Sequence, residues 1–146
     1  MTFSFSEKLI TVVLFLLLIS CNNNSKYSKK TDYFSNYLKK TFDKEIPDTK
    51  TFFFILPNSC PGCVKSIQES LERFATNENI IAITSYAGAT PKNFPSERYW
   101  RDTGRALDKL NLGLGGTGLI ITEKKEITGI IALSPENLDS VLTIVR

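Results

Sequence analysis

Histidine is absent from this chain of 146 residues. Without imidazole there is no Ser-His or Cys-His catalytic pair and no His-ligated metal centre. Cysteine is scarce, at three residues: Cys21, Cys60 and Cys63. Only Cys60 and Cys63 stand close together, and two thiols without imidazole cannot complete a four-ligand zinc site. Charge of one sign is lacking too. Eighteen basic and fifteen acidic residues leave a net charge of +3, and the two signs alternate along the chain. No basic block marks a nucleic-acid surface. No internal repeat is present.

A long apolar run is also missing. After Lys8 comes LITVVLFLLLIS, uncharged but only about a dozen residues, against the roughly 20 that a membrane-spanning helix needs. The run ends in Leu18-Ile19-Ser20-Cys21. This resembles the bacterial lipoprotein signal, in which aliphatic and small residues precede an invariant cysteine. The resemblance implies cleavage before Cys21, lipidation of Cys21 and attachment to the cell membrane or outer membrane. A plain signal peptide or an uncleaved anchor are the other readings of the run. All three place the rest of the chain outside the cytoplasm. The following NNNSKYSKK is polar and cationic, with too little apolar surface to fold, so it reads as a flexible tether. The expected organisation is a signal over 1–20, a tether over 21–30, a helical extension over 31–49 and one domain over 50–146.

Periodicity supplies the elements. Phe34, Leu38 and Phe42 recur at helical spacing, with Thr31 or Asp32 as a possible cap. Lys50–Leu56 is a short aromatic and aliphatic run, the pattern of a buried strand, ended by Pro57-Asn58. In PGCVKSIQESLERF, Val64, Ile67, Leu71 and Phe74 form one apolar helical face, and Pro61 suits a first turn. Residues 79–85 read as a second strand and 86–96 as an irregular connection. SERYWRDTGRALDKLNL, residues 96–112, predicts a helix with Trp100, Leu107 and Leu110 on one side, despite Gly104. Glycines follow from Gly113 to Gly118. Gly118–Thr122 and Ile127–Leu133 predict an antiparallel hairpin, because their connector is short. Ser134-Pro135-Glu136 opens a last helix that buries Leu138, Val141, Leu142 and Val145.

The expected fold is therefore α/β. Its central mixed sheet, flanked by helices, follows the order strand, helix, strand, helix, strand, strand, helix. A helix between the first two strands requires them to be parallel. With Cys60-Pro61-Gly62-Cys63 between the first strand and its helix, this order resembles the thioredoxin-like fold of CxxC thiol–disulfide oxidoreductases. The resemblance makes Cys60 the nucleophile and Cys63 the resolving thiol. A cysteine at a helix N-terminus faces unpaired N–H groups and the positive end of the helix dipole, which favour its thiolate. Pro61 and Gly62 would tune the redox potential. Thr117 falls where the family carries a cis-proline, and with Pro61 and Gly62 it would border the substrate groove. A non-proline cis bond costs about 3–4 kcal/mol, so a trans peptide is expected there. The implied partners are envelope protein thiols and disulfides, and the membrane through the lipid on Cys21. No cofactor, metal or nucleic acid is implied, and the domain is expected to be monomeric.

Two other classes fit parts of the chain. SCPGCVKSIQESL also resembles the Cu(I)-binding turn of heavy-metal-associated domains, although Asn58 stands where methionine is usual. A redox-inactive, thioredoxin-like interaction lipoprotein with vestigial thiols is the third, and an inert staple between Cys60 and Cys63 is the plainest reading of the pair. A disulfide closing so short a loop removes little chain entropy, which weighs against a staple.

Overall fold

The computed structural model describes residues 26–58 and 61–145. The first helix, α1 (Ser28–Phe42), precedes strand β1 (Thr51–Leu56). Helix α2 (Pro61–Leu71) continues as a 3-10 turn over Glu72–Phe74. Strand β2 (Ile80–Thr84) follows, then a short β3 (Tyr99–Arg101), the β4 (Gly118–Glu123) and β5 (Glu126–Ala132) hairpin, and α3 (Leu138–Leu142). The strands form one sheet in the order β3-β2-β1-β4-β5. β1 pairs parallel with β2, and β2 with β3; β4 is antiparallel to β1 and to β5. The α/β class, the mixed sheet and the flanking helices are as the sequence predicts.

Every residue of β1 is buried, as a central strand covered on both faces requires. Its alternation divides the core. Phe52, Phe54 and Leu56 face α2 and α3, meeting Val64, Ile67, Leu71, Leu138 and Leu142. Phe53 and Ile55 face the other way, toward Phe34 and Leu38 of α1 and toward Leu107 and Leu112. The Phe34 ring meets Phe53 edge-on at 5.1 Å. Residues 31–49, expected as an extension, thus supply Phe34, Tyr37, Leu38 and Ile46 to the core on this face.

Helix α1 begins at Ser28, so residues 28–30 are helical and not tether. Neither Thr31 nor Asp32 caps it. Tyr27 holds the N-cap position, and the Thr31 hydroxyl instead accepts from the Ile127 N–H at 3.1 Å. The Lys30 ammonium reaches the Leu112 carbonyl at 2.8 Å.

The helix expected over 96–112 does not form. Ser96–Arg98 is a 3-10 turn, Tyr99–Arg101 joins the sheet, and Ala106–Lys109 is a second 3-10 turn. Two-fold alternation wins over helical spacing here: Tyr99 enters the α2 face of the core while Trp100 packs on the α1 face, near Phe42 and Phe53. Asp102-Thr103-Gly104 then turns the chain, and Arg105 takes a left-handed φ of 57°. Trp100, Leu107 and Leu110 still reach a common cluster, but through a strand and a turn.

The hairpin connector is a tight two-residue turn, with Lys124 and Lys125 at φ 53° and 63°. A bulge between Ile121 and Thr122 offsets the register in β5. The last helix is shorter than expected and starts at Leu138. Asn137 accepts the Ser134 N–H at 2.9 Å and so closes the turn before it.

Candidate functional site around Cys63

Strand β1 leaves the sheet at Pro57 and Asn58, and α2 starts at Pro61. Pro61 has no N–H to leave unpaired in a first turn, which suits it to that position. Cys63 lies in that turn, half-buried and disulfide-bonded. Cys60 and Cys21 lie outside the described residues, as does the signal expected over 1–20.

Beside Cys63 is a narrow cleft of about 10 Å³, room for about one water. Ser66 and Ile67 of α2, Thr117, Leu133 and Pro135 are among its walls. Thr117 is thus brought to the cysteine turn from the far side of the glycine-rich loop. It is buried and pinned twice to Leu133: its hydroxyl donates to the Leu133 carbonyl at 3.0 Å, and its own carbonyl accepts the Leu133 N–H at 2.9 Å. The hydroxyl is therefore engaged within the fold. No cis peptide occurs among the described residues.

Pro61 and Gly62 point elsewhere. They are exposed and open onto a groove of about 580 Å³ on the opposite flank of α2, bounded by Gln68, Tyr86 and Pro91. The three residues expected to share one groove with the cysteines are divided between two.

A polar cluster lies against the strand exit, built by residues the sequence reading did not single out. One Asp108 oxygen accepts from the Ser85 hydroxyl and from the Asn58 N–H, the latter at 3.2 Å. Its other oxygen accepts from Arg105 Nε at 2.9 Å. Burial pushes the Asp108 carboxyl up, but the hydrogen bonds from Ser85, Asn58 and Arg105 outweigh it and hold the group below its ordinary range. The only trace in sequence is the Arg105-Asp108 spacing, which lies inside the expected helix that does not form. Behind this cluster, buried Asp102 accepts the Tyr37 hydroxyl at 3.1 Å and the Leu107 N–H at 2.6 Å through one oxygen. Its other oxygen has no hydrogen-bond partner among the described residues. Burial first, and Asp102 second, raise the Tyr37 phenol far above its ordinary value.

Among the described residues, no three His, Cys, Asp or Glu side chains gather as a metal site would require. Nor is any helix among them long and apolar enough to cross a membrane. Comparison with known protein families, with curated proteins and with solved structures finds no match to this chain.

Proposed function

We propose that this chain is a lipid-anchored, thioredoxin-like protein of the bacterial envelope that exchanges disulfides through Cys60 and Cys63. The observation that carries the reading is Cys63 itself: disulfide-bonded, in the first turn of the helix that follows the central strand, and next to Thr117. The sheet supports it, since β2-β1-β4-β5, with one parallel pair and a closing antiparallel hairpin, is the arrangement such a domain needs. β3 is an addition at the edge.

In the reducing direction, the Cys60 thiolate attacks one sulfur of a partner's disulfide. A mixed disulfide forms and the partner's other sulfur leaves as a thiolate. Cys63, deprotonated, then attacks the Cys60 sulfur. The partner's second thiolate departs and the Cys60–Cys63 disulfide closes, so two electrons pass to the partner. Oxidation of a partner is the same sequence reversed. The helix dipole supports the thiolate of Cys60, so no histidine is needed. Lipid on Cys21 would keep the domain close to the bilayer and to partners held there. A Cu(I) module would need both sulfurs as thiolates, and Asn58 stands where such modules usually carry methionine.

A redox titration across glutathione ratios, with thiols trapped by alkylation and counted by mass, tests the proposal. A reversible two-electron transition within the envelope range, with Cys60 trapped first, is the expected result. A disulfide that resists reduction under all conditions would make Cys60 and Cys63 a staple. Full redox function in a Cys60→Ser variant would equally end the proposal.

A further inference from the structure

The strand exit borders a recess of about 270 Å³ on the α1 side of the sheet. Ile55, Leu107 and Leu112 form a buried aliphatic floor, with half-buried Leu110 and Leu114 as walls. Pro57, Asn58, Arg105 and Asp108 stand at the mouth. We infer that this recess receives an apolar residue next to the partner's cysteine, while Arg105 hydrogen-bonds the partner's neighbouring backbone carbonyl. The inference rests on the exchange reading and names what that site selects.

Position argues for it first. Cys60 follows Asn58 by two residues, so a sulfur bonded to Cys60 is tethered within about 7 Å of Asn58 plus the length of a side chain. A partner's adjacent residue comes within reach of the recess. Size argues for it next. The volume lies just under the roughly 300 Å³ at which small-molecule sites begin, so it suits one large side chain better than a cofactor.

Chemistry gives the third argument. A guanidinium has five N–H donors, and one of Arg105's is taken, by Asp108 at 2.9 Å. Asp108 is itself held by Ser85 and by the Asn58 N–H, so the guanidinium has a fixed support joined to the strand exit. Its other donors suit a carbonyl at the mouth of an apolar site. Arg105 also adopts φ 57°, a left-handed conformation that L-residues seldom take. It is tolerated where it sets the side chain at this rim.

The test uses the full chain, reduced, against three short peptide disulfides that differ only in the residue beside cysteine: Leu, Ala or Glu. Hydroxyethyl disulfide, which has no flanking residue, is the reference substrate for the wild-type protein. The expected result is exchange about tenfold faster with the Leu peptide than with the Glu peptide. Leu110→Trp, which fills the recess, should abolish that preference, and Leu114→Trp is the second variant should the first fail to fold. Arg105→Gln should slow all three peptides by about tenfold and leave their ranking intact. Thermal unfolding of each variant certifies that it is folded. Equal wild-type rates for the three peptides, or a preference that survives both Trp variants, would overturn the pocket while leaving disulfide exchange in place. Failure to exchange even with hydroxyethyl disulfide would remove the exchange reading and this inference with it.

Discussion

The two faces of the sheet are held by different means. On the α2 face the layer is built mainly by helices. Helices α2 and α3 follow the strands they cover, and Val64, Ile67, Leu71 and Val141 fill the space between them and the sheet. On the other face α1 comes from before the sheet, and the rest of the layer is irregular chain. Aromatic rings and long-range hydrogen bonds tie it together: Phe34 on Phe53, Tyr37 to Asp102, Lys30 to Leu112 and Thr31 to Ile127. The first face carries Cys63. The second carries the polar cluster and recess that border the strand exit. Helical periodicity suffices to specify a layer, whereas a layer of turns must be fixed by particular polar contacts.

Substitutions can separate the two. Phe34→Ala removes a fully buried ring and should cost about 3–5 kcal/mol, read by urea unfolding. A loss under 1 kcal/mol would mean that α1 is only an appendage. Tyr37→Phe strips one of the two donors from a buried Asp102 oxygen and should cost about 1–3 kcal/mol.

The same residue gives a pH signature. The folded Tyr37 phenol has a raised pKa, because burial and Asp102 oppose its ionisation, while the unfolded phenol ionises near 10.0. The unfolded chain then holds fewer protons above that pH, so the contribution is complete below about pH 10 and declines as pH rises further. Equilibrium unfolding of wild type should show this alkaline slope, and Tyr37→Phe should show less of it. Equal slopes would detach Tyr37 from the effect.

The smallest change is expected at the hairpin. Lys124→Asn with Lys125→Gly suits the left-handed turn and should add about 1 kcal/mol. The Lys125 contacts to Glu45 and Asp48, at 3.6 and 3.9 Å, are exposed and offset little of the gain.

Legibility in the sequence follows the same division. β1, α2, β2 and the hairpin could be read because their apolar patterns are strong and their ends carry Pro, Asn or a short charged connector. Residues 96–112 could not. Tyr99-Trp100-Arg101 is too short to display its alternation, and the decisive contact, pairing with β2, comes from the tertiary fold. Cys60, Pro61, Gly62 and Cys63 announced the candidate site through their spacing. Asp108 and Ser85 did not, because they meet Asn58 only after three separate segments converge. Thr117 was placed by element order, and it does lie beside Cys63. Its separation from Pro61 and Gly62 depends on which way α2 faces, and spacing alone does not encode that.

The bond from the Ile127 N–H to Thr31 joins residues 96 positions apart. Helix α1 precedes every strand in the chain, yet β4 and β5, which it needs as a floor, follow all the others. Contacts of such sequence separation form late, because a long loop must close before they repay its entropy. An incomplete chain therefore cannot shut the α1 side of its core. Closure of that side waits on β4 and β5, however early α1 and β1 are available to it.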